Sequence, residues 1–242
     1  MTATTEDTVY QGRVKLVQPL KGFRAGSDSL LLAAALAEKA DGAALELGCG
    51  CGGALLPAAF RMPGMRFTGV EIDAKMAALA EAGVAANGFQ DRVEIAANEA
   101  SDWVKTHENQ FDLVFANPPY FEPGRISPPS AGKTSAYLES LDVSGWVKAM
   151  VFAAKPRAPI VLVHRAAELA RILAALDKWT GDITVLPVAP KPGEEARRVL
   201  VRGRKGLKRG PVRLLAPIHL HEANGERSVT GQEVTTGGAV RW

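Results

Sequence analysis

Short apolar runs, each closed by glycine, proline or a polar turn, alternate along the chain with longer segments whose apolar positions recur at helical spacing. Ala43–Leu47, Arg66–Val70, Val93–Ala96, Asp112–Ala116, Pro159–Val163, Ile183–Val188 and Val199–Arg202 read as strands. Ser29–Lys39, a segment from Ala54, Ala74–Asn87, Val143–Lys155 and Ala166–Trp179 read as helices. Ser27 or Asp28 is the expected cap of the first helix, and Asn87-Gly88 the stop of the third. Val9–Val17 reads as a hairpin or edge strand ahead of this series. Strands in alternation with helices imply an α/β domain around a mostly parallel sheet.

Composition narrows the class. The chain has 242 residues, 47% of them hydrophobic, enough for one α/β domain with a sizeable core. The expected organisation is a single domain over 1–242. Its parts are an N-terminal hairpin and loop (1–40), a core (41–204) and a basic C-terminal extension (205–242). The longest apolar run, Leu30–Ala37, is far shorter than the roughly 20 residues a membrane helix needs. Met1–Asp7 carries no signal-peptide pattern. The two cysteines, Cys49 and Cys51, sit two positions apart in a glycine loop, which excludes a disulfide framework and is too few for a zinc site. A reducing cytoplasm is the expected location. His164, His219 and His221 follow no ligand spacing, so no metal is assigned to them. Nothing in the sequence sets an oligomeric state.

The stretch Phe111–Tyr120 carries the sharpest chemistry. An apolar strand ends at Asn117-Pro118-Pro119-Tyr120. Neither proline can continue a sheet ladder, and each holds the residue before it extended. The result is a stiff turn at the carboxyl end of a strand, where open α/β sheets bind ligands. Such a turn suits methylation of an exocyclic amine. Hydrogen bonds from the amine to the Asn117 side-chain oxygen and the Pro118 carbonyl would localise a lone pair otherwise spread into the ring, and Tyr120 could stack on the base. Upstream, Ala43–Leu47 runs into Glu46-Leu47-Gly48-Cys49-Gly50-Cys51-Gly52-Gly53. Gly48, Gly50 and Gly53 fit G-x-G-x-x-G, so the loop alone allows a dinucleotide as well. Glu71 follows Gly48 by 23 positions, the spacing of a ribose-binding acid. Asn98 ends the next strand, so four strand ends converge on one crevice. The loop before the first helix, with Arg24 and Asp28, is placed to close over a cofactor. Phe121–Leu141, rich in proline, glycine and serine, reads as a functional lid or a disordered segment. Gly132-Lys133-Thr134 is not a phosphate loop, because Ser127 stands where the first glycine belongs.

Net charge is only +3, but it is uneven. Arg197–Arg213 holds eight Lys or Arg and no acid: Arg197, Arg198, Arg202, Arg204, Lys205, Lys208, Arg209 and Arg213. Beside a base-modifying crevice, such a run is expected to contact phosphates, with Arg202, Arg204, Lys205, Lys208 and Arg209 as the RNA-binding set.

On Gly22–Leu32, Leu45–Gly52, Gly69–Asp73 and Phe111–Phe121, the chain resembles class I S-adenosylmethionine-dependent methyltransferases, and more narrowly the bacterial tRNA adenine-N6 methyltransferases that act beside the anticodon of a valine tRNA. The resemblance implies a Rossmann-like, seven-stranded, mostly parallel sheet with one antiparallel strand and helices on both faces. It implies S-adenosylmethionine as cofactor, with Gly48, Gly50 and Gly52 under its methionine part, Glu46 just before them, and Glu71 on the ribose. Asn98 would meet the cofactor adenine, Arg24 and Asp28 would cover the methionine end, and Asn117–Tyr120 would hold the target amine in line with the methyl. No metal is needed. The expected partner is a structured RNA, with tRNA favoured. Protein glutamine N5-methyltransferases share Asn-Pro-Pro-Tyr, and RNA guanine-N2 methyltransferases are a further alternative. DNA adenine methyltransferases generally need a recognition domain for which this chain has no room. An RNA-binding protein that keeps the fold without turnover is the non-enzyme alternative.

Overall fold

A computed structural model of the protein describes residues 3–21, 24–119 and 142–242. Tyr120 and the stretch Phe121–Leu141, expected as a lid, lie outside the described residues. The chain starts with an antiparallel hairpin of β1 (Thr4–Val9) and β2 (Val14–Pro19), separate from the main sheet. It begins at Thr4 rather than Val9. Only β2 buries alternate residues, including Val14 and Leu16, so the apolar pattern marks the inner strand and misses its polar partner. Helix α1 (Ser27–Ala35) follows. Its cap is Gly26, with no side-chain cap bond, so the expectation that Ser27 or Asp28 caps it is corrected: both lie inside its first turn.

The core then alternates β3 (Gly42–Leu47), α2 (Leu55–Arg61), β4 (Met65–Glu71), α3 (Ala74–Ala86), β5 (Val93–Ala97), α4 (Ala100–Trp103) and β6 (Leu113–Ala116). After residue 141 come α5 (Val143–Ala153), β7 (Pro159–Arg165), α6 (Leu169–Leu176), β8 (Thr180–Ala189) and β9 (Arg198–Lys205). Two short strands, β10 (Arg213–Leu214) and β11 (Ile218–His219), and helix α7 (Val229–Thr236) end the series. Asp73, Asp142 and Ser228 each cap a helix by accepting a backbone N–H, at 2.8, 2.8 and 2.9 Å.

Among the described residues the sheet runs β10-β8-β9-β7-β6-β3-β4-β5, with β11 also on β8. The expected count of seven becomes nine, because β10 and β11 are two-residue strands too short to show a period. Strands β3 to β8 run parallel; β9 alone is reversed, between β7 and β8. Both faces are covered. Leu32, Leu55, Phe67 and Phe115 pack on one side with α1 and α2, and Leu45, Val114, Met150 and Ile172 on the other with α5 and α6. Each fully buried side chain of this kind contributes about 1.5–3 kcal/mol.

The reversed strand decides where charge goes. Arg198 pairs with Arg165 at the carboxyl ends of the parallel strands, whereas Arg204 pairs with Pro159 at their amino ends. At about 3.3 Å per residue, β9 carries the run roughly 23 Å across the sheet.

Candidate active site

The carboxyl ends of β3, β4 and β6 meet at one crevice. Pairing of Leu47 with both Val70 and Ala116 puts the glycine loop directly between the Glu71 strand and the Asn117 turn. The Gly48 and Cys49 N–H groups both donate to Val70 O, at 2.8 and 3.1 Å, which folds the chain sharply off β3. Gly48 has φ +71, and a Cβ there would meet the Trp146 ring at 2.8 Å. Gly53 is equally constrained, since its Cβ would lie 2.5 Å from that of Ala25.

Glu71 is buried, and its carboxylate accepts the Gly50 N–H at 2.8 Å and the Asp73 N–H at 2.9 Å. One side chain therefore holds the glycine loop and the start of α3 together. Burial pushes its pKa up, and the two N–H donors oppose the shift. Glu46 is more deeply buried, and Oε2 finds no hydrogen-bond partner. Its pKa rises well above the carboxylate range, from burial first and the neighbouring Glu71 charge second. A buried, unsatisfied carboxyl facing a cavity is costly unless a ligand completes it. That cavity is lined by Ala25, Ser29, Glu46, Gly48, Cys51 and Asn117. A cationic amine would complete that carboxyl, which is the chemistry that the methionine end of S-adenosylmethionine offers.

The other expected cofactor residues divide. Gly50 bonds to Glu71, but the Gly52 hydrogen side faces Leu56 and Ala80, so its glycine serves helix packing. Asn98 ends β5 in an exposed position, its Oδ1 accepting the Glu99 N–H at 2.7 Å. Arg24 is not in the cavity wall; it donates to Asp7 at 2.6 Å and to Pro19 O at 3.3 Å. Asp28 accepts from Arg198 Nε at 2.8 Å, tying α1 to β9. Asn117 lines the cavity, and Pro118 behind it is buried. Pro119 follows, and Tyr120 lies outside the described residues.

Gln18 was not legible as part of the site. Its buried side chain accepts the Ala25 N–H at 2.7 Å and donates to Asp7 at 2.9 Å, so the hairpin clamps the loop that walls the cavity. Ser29, Cys51 and Gly53 also belong to the wall. Gly53 had a signal in the glycine spacing; Gln18 had none, because a lone glutamine in a strand reads as surface.

The basic run does not form one patch at this crevice. Arg197 and Arg198 pair with Glu194 and Asp28. Arg202 stacks over Trp242 mid-sheet, with its ring contact at 4.8 Å. Lys205 donates to Asn109 Oδ1, Ala154 O and Phe152 O at 2.8, 2.9 and 3.3 Å, so it is a fastening of the fold. Arg204, Lys208 and Arg209 stand at the opposite edge. The expectation of a run without acids beside the catalytic turn is corrected, because acids distant in sequence meet it and β9 carries it away.

Among the described residues no group of three His, Cys, Asp or Glu is placed to hold a metal, and no helix is long and apolar enough to cross a membrane.

Residues 23–131 match the methyltransferase small domain family. The chain is 28% identical over 182 residues to the tRNA1(Val) (adenine(37)-N6)-methyltransferase of Yersinia enterocolitica, covering 74% of this chain and 72% of that protein. It is 31% identical over 120 residues to the enzyme of the same name from Yersinia pestis, covering 49% of this chain and 48% of that protein. Among solved structures, an Agrobacterium tumefaciens protein described as a predicted O-methyltransferase matches with a TM-score of 0.72 at 25% identity, over 88% of this chain and 98% of that one. The AdoMet complex of M. jannaschii TYW2 matches at 0.60 and 12% identity, over 84% of this chain and 86% of that one.

Proposed function

We propose that this S-adenosylmethionine-dependent methyltransferase of the class I fold methylates the exocyclic N6 amine of an adenine in structured RNA, tRNA being the favoured substrate. The observation that carries the reading is Asn117, which leads into Pro118-Pro119 and lines the same cavity as Glu46 and Gly48. The names of the Yersinia relatives support the choice of base.

Bound over the glycine loop, the cofactor supplies an electrophilic methyl on a sulfonium. Glu46 would meet its cationic amine, and Glu71, which braces Gly50, would present its remaining lone pairs to the ribose hydroxyls. Asn117 Oδ1 and the Pro118 carbonyl accept the two amine hydrogens, which turns the nitrogen lone pair toward the methyl. These bonds strengthen as the nitrogen gains positive charge, so they act on the transition state more than on binding. Positioning does the rest, and no strong base is needed, since the methylated amine is acidic enough to lose its proton to water.

The test compares modified nucleosides in tRNA from cells with and without the gene, followed by methylation of that unmodified tRNA by purified enzyme. Loss and restoration of N6-methyladenosine is the expected result. Methylated guanine in its place would move the reading to guanine-N2. Transfer to protein glutamine, with none to RNA, would overturn it.

A further inference from the structure

The amino edge of the sheet carries a cationic surface around an exposed tryptophan, on the far side of the molecule from the crevice. Trp179 is 49% exposed, unusual for the largest apolar side chain. Its carbonyl accepts the Gly206 N–H at 2.9 Å, which sets it beside the chain that leaves β9. The backbone of Lys208 packs so closely on Gly181 that a Cβ there would lie 2.2 Å from Lys208 O. Arg209 pairs with Asp177 at 3.6 Å, across the same seam. Arg157 joins from the turn before β7: its N–H donates to Lys205 O at 2.9 Å, and its carbonyl accepts from Arg204 Nε at 3.0 Å. Arg157, Lys178, Lys208 and Arg209 are all exposed. With Arg204 these cations have, among the described residues, one carboxylate paired with them, Asp177.

Resting on the RNA reading above, we propose that this edge is a second docking surface for the RNA substrate, where Arg157, Lys178, Lys208 and Arg209 meet phosphates and Trp179 stacks on an unpaired base. A flat aromatic in a cationic field is the arrangement that binds single-stranded nucleic acid without reading its sequence. A partner of opposite charge but without bases would use the cations and leave the indole in water. The two ends of β9 lie about 23 Å apart along the strand, so this surface faces the body of the RNA rather than the nucleotides at Asn117, and a full-length tRNA offers it more phosphates and bases than an isolated hairpin does. Affinity then comes from the body of the RNA and selectivity from the crevice.

The experiment uses the full chain with two RNAs: a valine tRNA transcript and its isolated anticodon stem-loop. Wild-type enzyme is compared with Trp179→Ala, Trp179→Phe and the triple variant Arg157→Asn, Lys178→Gln, Lys208→Gln. Asparagine suits the φ of +67 at position 157. The ratio of kcat/KM on tRNA to that on the stem-loop is expected to fall about tenfold in Trp179→Ala and in the triple variant, and to be kept in Trp179→Phe. The salt slope for tRNA binding is expected to drop by about 2 in the triple variant, at roughly 0.7 per lost phosphate contact. Tryptophan fluorescence quenched by bulk tRNA in wild type and less so in Trp179→Phe reports the contact directly. An unchanged ratio, slope and quench in folded variants overturns the proposal. If wild type methylates neither RNA, the functional reading fails, and the quench and salt slope with bulk tRNA still decide the docking surface.

Discussion

At the carboxyl edge of the sheet, polar groups are drawn inward: Glu46 and Asn117 line one cavity, and beside it the buried Glu71 accepts the Gly50 N–H. At the amino edge Lys208, Arg209 and Lys178 stand in water around Trp179. The first arrangement costs stability and is suited to a small ligand that completes it; the second costs almost nothing and is suited to a large, charged surface. A buried group without a partner points to chemistry more strongly than an exposed group with high charge.

The contrast breaks most visibly at Asn117. Asn117→Ala is expected to lower methyl transfer by about 100-fold or more, the loss typical of one transition-state hydrogen-bonding group, while cofactor affinity by calorimetry stays within about tenfold. Near-normal turnover would remove the turn from the mechanism. Next comes Glu71→Ala, expected to weaken cofactor binding by about 1–3 kcal/mol, since it leaves the Gly50 N–H unpaired and, on the proposed reading, removes a ribose acceptor. Calorimetry showing tight binding of a nicotinamide dinucleotide instead would reverse the cofactor assignment.

Two lysines of the basic run sharpen the comparison from the other side. Lys205→Met is expected to cost about 1–3 kcal/mol in urea denaturation, because three oxygens lose their donor. Lys208→Met is expected to stay within about 0.5 kcal/mol of wild type. Equal effects would mean that exposure does not separate fastening from docking.

An effect smaller than that at Lys205 is expected at Glu46. Its carboxyl has a raised pKa in the folded protein, so the stability it permits is full below the unfolded value and is lost as pH climbs toward the folded one. Glu46→Gln, neutral throughout, is therefore expected to melt above wild type at pH 8 by roughly 2–4 °C, what about 1 kcal/mol is worth in a domain of this size. The gap should narrow as pH falls and close below the unfolded carboxyl value of about 4.3. A constant gap would assign the effect to packing.

The crevice was legible because its parts are local. Asn117-Pro118-Pro119 and Glu46–Gly53 are contiguous, and their geometry follows from proline and glycine backbones. The seven long strands were legible as apolar runs. Helix α7 was not, since Val229–Thr236 is rich in β-branched residues and is held by Ser228 at one end and by Gly237, at φ +86, at the other. The basic run was read as one surface because sequence shows the absence of acids nearby but not Asp28, Asp177 and Asp182 arriving from elsewhere. The reversal of β9 likewise has no signature in the residues of β9 itself.

That reversed strand also orders the birth of the fold. All the pairing partners of β8 among the described residues lie after it in the chain, and the outer side of β7 is closed only by β9. On the ribosome, a nascent chain that has released β8 but not yet Arg198–Lys205 therefore exposes the rims of two apolar strands, the kind of template that recruits other chains. The hazard ends when β9 slots between them, a long-range step that comes late. Slowing translation just before that strand is then expected to raise aggregation, and slowing it after Lys205 to leave yield unchanged.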